Sequence, residues 1–355
     1  MPELNEDLVA LIAQHAVAPD SASSPPRRLT PSSFRNRANI LASFCLVNST
    51  WRAAAQLELE RDILVTSTNF HLVSTATKER GLGRRARRLL AVKHAGTHDD
   101  YDPRTLDAVV EACPELEELE VVRWKLSLHS LTRTPNLHSL SLSQVSLYAG
   151  APDLRLPLRL GHLSLHLCHL QPPDYTTLIA AAQDSLQRLE LGGVFPADFP
   201  QLDDMISAIY PSLRFLDLAS FGIYPDPHPS PDASDPVESL PHLSLCANLE
   251  TLALPVNQLT FALDFLPSPT SGTRPLRALH LYPAIVANWD DTLDWDDGLL
   301  VLLAALGTGP LAGLKELVID FGRGLFGGGA AGYDSTPLYE VKEAAKTRGI
   351  VCTVR

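Results

Sequence analysis

The chain has 355 residues, 45% of them hydrophobic, enough material for an extended core and one small domain. Its formal net charge of -12 argues against a general role on nucleic acid, where Lys and Arg drive phosphate binding. The five cysteines, Cys45, Cys113, Cys168, Cys246 and Cys352, are widely spaced and form no Cys-x-x-Cys pair, which disfavours a secreted disulfide framework and a structural zinc site and fits a reducing compartment.

At the N-terminus Glu3, Glu6 and Asp7 stand where a secretory signal would be basic and then apolar. The longest apolar run, Leu299 to Leu306, is too short to span a bilayer. A soluble protein of the cytoplasm and/or nucleus, with no membrane partner, is expected. The first predicted element is a helix from Leu4 to Ala16. It places Leu8, Leu11, Ile12 and Ala16 on one face, with Asn5 as N-cap and Glu6 and Asp7 in the first turn, where the helix dipole favours acid. Ile40, Leu41, Phe44, Val47 and Trp51 write a second helix. Between them, Pro19 to Arg37 is rich in Pro, Ser and Arg without periodicity and reads as a disordered insertion, about residues 19–38.

Lys78, Arg80, Arg84, Arg85, Arg87, Arg88 and Lys93 form a dense basic run. It could serve as a nuclear localisation signal or contact an acidic partner, but Ala86 to Val92 reads more simply as an atypical first strand with Arg on its solvent side. His94, His98, Asp99 and Asp100 have metal-ligand chemistry but no helical pattern to bring the two imidazoles together, so a polar loop is expected.

From Leu116 onward the chain repeats Leu-x-x-Leu-x-Leu, with Ile or Val allowed at the last place, starting at Leu116, Leu137, Leu160, Leu186, Leu213, Leu249, Leu276 and Leu314. An apolar residue returns ten positions after the start in six of these units, at Leu126, Leu147, Leu170, Ile223, Leu259 and Val286. A further match at Leu240 to Leu245 contains Pro241 and leaves too little chain before the next strand, so it is set aside. Short apolar strands recurring at roughly 20 to 30 residues mark a leucine-rich repeat solenoid. The fold class expected is therefore α/β, a curved parallel sheet with variable helices outside it. Because the spacing is irregular, the expected form is a ribonuclease-inhibitor-like horseshoe rather than a uniform array.

On a period-2 strand the fourth and sixth positions of the motif point inward and the third, fifth and seventh outward. Glu118, Glu120, Ser139, Ser141, His162, Ser164, His166, Arg188, Glu190, Phe215, Asp217, Thr251, His280 and Tyr282 thus form the candidate face for a protein partner, acidic at its start and imidazole-rich in the middle. Any one of them taken alone reads as an ordinary solvated strand residue; as a set they are the candidate surface. Repeated Leu strands offer no obvious pocket, and no Ser, His and Asp nucleophile arrangement appears. The expectation is no enzyme, no cofactor and no metal.

The Pro-rich stretch at about 222–241 and the shorter one at about 264–275 read as excursions from the ladder. Asp290 to Gly298 is acidic, but counting back from Gly298 puts Trp295 and Leu293 where calcium ligands are needed, so Asp294 to Asp297 read as caps of an apolar helix from Leu299 to Leu306. Gly322, Gly324 and Gly327 satisfy Gly-x-Gly-x-x-Gly. No helix opens inside those glycines, and a loop over about 322–337 is expected instead of a dinucleotide site. A final helix, Leu338 to Arg348, and a last strand, Ile350 to Val354, close the array.

The N-terminal sequence Leu4-Asn5-Glu6-Asp7-Leu8-Val9, the Ile12 that follows, and Leu41-x-x-Phe44-x-x-Val47-Asn48-Ser49-Thr50-Trp51-Arg52 resemble the two halves of an F-box. The chain departs from the family pattern at Asn5, Asp7 and Asn48-Ser49 and by the insertion between the halves. An F-box-like segment over residues 1–65 followed by leucine-rich repeats over 66–355 is similar to the F-box/leucine-rich-repeat family. The resemblance implies a substrate receptor of an SCF-type cullin-RING ubiquitin ligase. Leu4, Leu8, Leu11, Ile12, Leu41, Phe44, Val47 and Trp51 would bind the Skp-family adaptor or pack the small domain, and the repeats would hold an unidentified protein substrate. A repeat scaffold or inhibitor without any ligase linkage is the competing reading.

Overall fold

The computed structural model describes residues 6–16, 30–93, 105–148, 154–168, 172–192, 207–220, 241–267, 274–282, 295–321 and 335–355. It contains two compact units, Met1–Arg159 with His169–Asp174, and Leu160–Cys168 with Tyr175–Arg355. The helical segment and the first strands fall in the same unit.

In the first unit, α1 (Glu6–Ala16), α2 (Pro31–Phe44) and α3 (Ser49–Leu59) pack together around Ala13, Leu41 and Ala55, with Phe44, Cys45, Ala54 and Leu59 against them. Two expectations need correction here. Residues 31–37 are helical rather than loop: Thr30 forms a capping box with Ser33 and Pro31 occupies the first helical turn, where its missing N–H costs nothing. The expected second helix is in fact two. Asn48 adopts an extended conformation and its side chain accepts a hydrogen bond from the Trp51 N–H at 3.0 Å, ending one helix and starting the next.

The strands of this unit are β1 (Asp62–Thr66), β2 (Arg88–Val92), β3 (Glu118–Val122) and β5 (Ser139–Ser143), parallel and adjacent in that order. The strand expected to come first is therefore the second; β1 escaped the motif because Asp62-Ile-Leu-Val-Thr66 lacks the leucine spacing. Between the strands lie α4 (Phe70–Arg80), a 3-10 turn at Leu82–Arg85, α5 (Asp107–Glu111) and a second 3-10 turn at Leu128–Arg133. The apolar residues ten places into two repeats, Leu126 and Leu147, are buried and pair in a separate parallel ribbon of β4 (Lys125–Ser127) and β6 (Ser146–Tyr148).

The second unit carries β7 (His162–His166), β8 (Arg188–Gly192), β9 (Phe215–Ser220), β10 (Thr251–Pro255), β11 (Ala278–Tyr282), β12 (Glu316–Ile319) and β13 (Val351–Val354). Each pairs in parallel with the next. Its helices are α6 (Pro172–Ala182), α7 (Leu259–Phe265), α8 (Trp295–Ala305) and α9 (Thr336–Thr347). Helix α8 begins at Trp295, four residues ahead of the expected Leu299, so Asp296 and Asp297 lie in its first turn, where acid favours the helix dipole, rather than before it as caps. The rejected match falls on a 3-10 turn, Pro241–Leu245. Asp264 and Phe265, expected in a loop, finish α7, where Leu259, Ala262 and Leu266 supply the buried helical stripe. Gly322 to Gly327, His94 to Asp100, Asp290 to Asp294 and residues 222–240 lie outside the described residues.

Registers align the motif from strand to strand: Leu119 opposes Leu140, Leu163 opposes Leu189, and Leu216, Leu252, Leu279 and Leu317 follow in line. All of these leucines are fully or almost fully buried. After three strands, the residue seven places into the repeat (Arg123, Gln144 and Leu167) has a positive φ of 62°, 54° and 51°. None is Gly, so each conformation costs about 1–2 kcal/mol that the surrounding packing must offset.

Leu140→Ala, which truncates a fully buried ladder leucine, should lower unfolding free energy by about 2–5 kcal/mol. Leu72→Ala, 72% exposed on α4, should change it by less than about 0.5 kcal/mol. Urea unfolding followed by circular dichroism tests this contrast, and equal effects would contradict the shared leucine core. In the same assay Asn48→Ala should cost about 1 kcal/mol through loss of the α3 cap.

Candidate functional site

Helix α1 turns Val9 and Ala13, four residues apart, into the helical core. Leu8, Leu11 and Ile12 therefore point outward, although they form the richer apolar face. The family-matched positions divide accordingly. Leu41 is fully buried, Phe44 and Trp51 are half-buried and meet edge to face at 5.0 Å, and Val47 is 60% exposed in the turn between α2 and α3. Leu4 lies outside the described residues. Sequence reasoning missed Leu46, 84% exposed beside Val47, because it falls in a turn where no helical period applies.

A charge cluster ties these helices to the first strands. Arg88 of β2 grips Asp62 of β1 with two hydrogen bonds of 2.8 and 2.9 Å. Arg37 of α2 pairs with both Asp62 and Glu58, the latter at 3.3 Å, and Arg61 reaches Glu58 at 2.6 Å. Burial lowers the pKa of the Arg37 guanidinium, against the opposing pull of Asp62. The expected insertion therefore ends in a residue that anchors the helical segment.

The outward rows of the first unit are set by register. Asp62, Arg88, Glu118 and Ser139 form one, and Leu64, Leu90, Glu120 and Ser141 the next, with Leu90 fully covered. Glu118, Glu120, Ser139 and Ser141 are half-buried. Trp124, which the motif did not single out, is buried with its ring stacked on Phe70 at 5.1 Å and the Lys93 ammonium 5.8 Å above it.

In the second unit the rows run His162, Arg188, Phe215, Thr251, Ala278, Glu316 and Ser164, Glu190, Asp217, Ala253, His280, Val318. The first two strands of this face, β7 and β8, carry one polar network. Arg188 holds Glu190 at 2.6 Å and lies 3.6 Å over the Phe215 ring. His162 Nε2 stands 3.5 Å from the same carboxylate, and the Ser164 hydroxyl donates to its other oxygen at 3.1 Å. The His166 ring rests on Gly192, where a Cβ would come within 2.5 Å of it, so any other residue there would displace the ring. Burial alone would raise the Glu190 pKa, but the hydrogen bond from His162 and the charge of Arg188 outweigh it and hold the carboxyl far below the usual range.

Two of the expected face residues are not accessible. Ser164 is buried because its hydroxyl faces the Glu190 carboxylate, and Tyr282 is buried against Ala253. His162, His166, Arg188, Glu190, Phe215, Asp217, Thr251 and His280 remain half-buried. They offer imidazole edges, a guanidinium on an aromatic ring and carboxylates, a set suited to recognition. Among the described residues no helix is long and apolar enough to cross a membrane.

The Glu190 carboxylate is depressed in the folded state, so its stabilisation is complete above the ordinary value of 4.5 and is lost as pH falls toward the folded value. Between about pH 5 and 3 the wild-type chain should lose stability more steeply than Glu190→Gln, read by thermal melts across pH. Parallel curves for the two proteins would count against the network.

No family model matches the chain, and no curated protein matches its sequence. Among solved structures, an internalin from Listeria monocytogenes is similar over 90% of this chain and 89% of that one, at 11% identity and a TM-score of 0.32. The chain's own strands identify its architecture: within each unit, parallel strands bearing buried leucines in register are leucine-rich repeats.

Proposed function

We propose that the chain is the substrate-recognition subunit of an SCF-type cullin-RING E3 ubiquitin ligase, working in the cytoplasm and/or nucleus. Its N-terminal helices bind the Skp-family adaptor and its repeats hold a protein substrate. The observation that carries this reading is the division of apolar residues in the helical segment. Its core is satisfied by Val9, Ala13, Leu41 and Ala55, yet Leu8, Leu11, Ile12, Leu46 and Val47 stay in solvent. So many exposed large apolar side chains in one small segment mark an interaction surface, and four of them occupy positions that match the F-box pattern. The anchoring of α2 and α3 on β1 and β2 by Arg37, Arg61 and Arg88 suits a receptor that must hold its adaptor-binding helices steady. Such a receptor makes and breaks no bonds. It acts by raising the local concentration of substrate lysines near loaded ubiquitin.

A repeat scaffold or inhibitor outside any ligase would share the repeat face and differ at the helices alone. Co-expression with the organism's Skp-family adaptor, followed by size-exclusion chromatography, separates the two. A one-to-one complex with the wild-type chain, lost in Leu8→Asp and Leu11→Asp variants that keep the wild-type circular dichroism spectrum, is the expected outcome. A folded wild-type chain that elutes without adaptor would leave the scaffold reading in its place.

A further inference from the structure

The last strand, expected to close the array, leaves its inner layer incomplete. Strand β13 (Val351–Val354) ends the sheet order and, among the described residues, pairs with β12 alone. Leu317 and Ile319 on β12 are fully buried, but their register partners Cys352 and Val354 are only half-buried. On the opposite face Val351 is 65% exposed and Thr353 is exposed as well. An interior strand of this ladder has a neighbour on each side to cover its apolar positions, and β13 has one.

The hydrogen bonds to β12 fix which groups remain on the free edge. The Val351 N–H donates to the Lys315 carbonyl at 2.9 Å and the Arg355 N–H to the Ile319 carbonyl at 3.0 Å, while the Arg355 carbonyl accepts from the Phe321 N–H at 2.7 Å. Successive residues of a paired strand direct their backbone groups to opposite sides, so Val351, Thr353 and Arg355 face β12. The N–H and C=O groups of Cys352 and Val354 therefore face the open side. Pairing there cannot extend toward Ile350, whose N–H is already given to the Ala345 carbonyl at 2.9 Å. Edge strands are commonly blunted by Lys, Pro or a bulge, and Val351-Cys352-Thr353-Val354 has none of these.

We propose that β13 pairs antiparallel with β13 of a second copy of this chain, about a two-fold axis at Thr353. A two-fold axis makes edge-to-edge pairing antiparallel and self-complementary. With Thr353 facing its own symmetry mate, Cys352 stands opposite the partner's Val354 on both sides of the axis. Each such pair exchanges both of its N–H···O=C bonds, so every open group of Cys352 and Val354 is satisfied. Opposed residues share a face of the sheet, so Cys352 and Val354 cover one another. Val351 falls opposite Arg355, which Asp320 holds at 3.3 Å, and no like charges are opposed. A flexible foreign segment would meet the same short edge and have to be ordered first, whereas a second copy brings its edge already formed. The strand is 4 residues long, so the dimer belongs to the weak, transient class. No residue of the N-terminal helices takes part, and the pairing stands or falls apart from adaptor binding.

The test is sedimentation velocity on the full chain without adaptor, from about 5 to 500 µM, a range suited to a small interface. The wild-type chain should pass from monomer to dimer across it. Thr353→Lys sets two ammonium groups opposite each other on the axis and should stay monomeric, as should Thr353→Glu; an equimolar mixture of the two should dimerise again. Val354→Pro removes an edge N–H that no bond within the chain uses and should abolish the dimer while keeping the wild-type melting temperature. Leu8→Asp, on the exposed apolar face of α1, should leave the dimer intact. If Val354→Pro does not fold, the two variants at the exposed Thr353 carry the test. A wild-type chain monomeric at every concentration, a dimer that persists in folded Thr353→Lys or Val354→Pro, a mixture that stays monomeric, or a dimer lost in Leu8→Asp would each overturn the proposal.

Discussion

Everything in this protein depends on leucines that no repeat can bury by itself. A five-residue strand such as Ser139–Ser143 shields its Leu140 and Leu142 only because neighbouring strands lie in register on it, and that condition passes from strand to strand. The hydrophobic term therefore accrues along the ladder, while the outward positions are left free of any packing duty. That separation lets a chain keep its fold while varying the residues it shows to a partner.

The outward positions are nevertheless not a simple solvated surface. On β7 and β8 the side chains have organised one another. Glu190 is shared by Arg188, His162 and Ser164, and Phe215 carries the guanidinium. A face arranged in this way is partly desolvated before a partner arrives and has less side-chain freedom to lose on binding. The same economy appears at the start of the chain, where Arg37, Glu58, Arg61, Asp62 and Arg88 fasten helices to strands. It recurs ahead of β2, where Glu60 and Glu117 pair with Arg85 and Arg87.

The repeat strands from Glu118 onward were legible because Leu recurs at a spacing that only a buried, period-2 strand explains. That acidic residues open α8 was legible for a similar reason, since the preference for acid in a first helical turn is local, although the helix starts earlier than its apolar run. Other elements were hidden. Strand β1 has the right apolar content but not the spacing, and what makes it a strand is its pairing with β2. The beginning of α2 lay hidden under a Pro- and Ser-rich composition that reads as loop; its Thr30 and Ser33 turned out to be a reciprocal cap. Asn48, a departure from the family pattern, is a cap of the same kind.

Sequence alone determined the fold class, the positions of the motif strands and which motif positions are buried, because hydrophobic periodicity acts between near neighbours and repeats itself. The tertiary structure alone decided which apolar face of α1 turns outward and that Ser164 and Tyr282 are withdrawn from the repeat face. It also decided that arginines 24 and 26 residues from Arg61 in sequence, Arg85 and Arg87, share a cleft with it. Those outcomes depend on which side chains meet across strands and helices distant in sequence. Contacts of that kind leave no period in the chain, since each is made by a unique pair rather than by a repeated one.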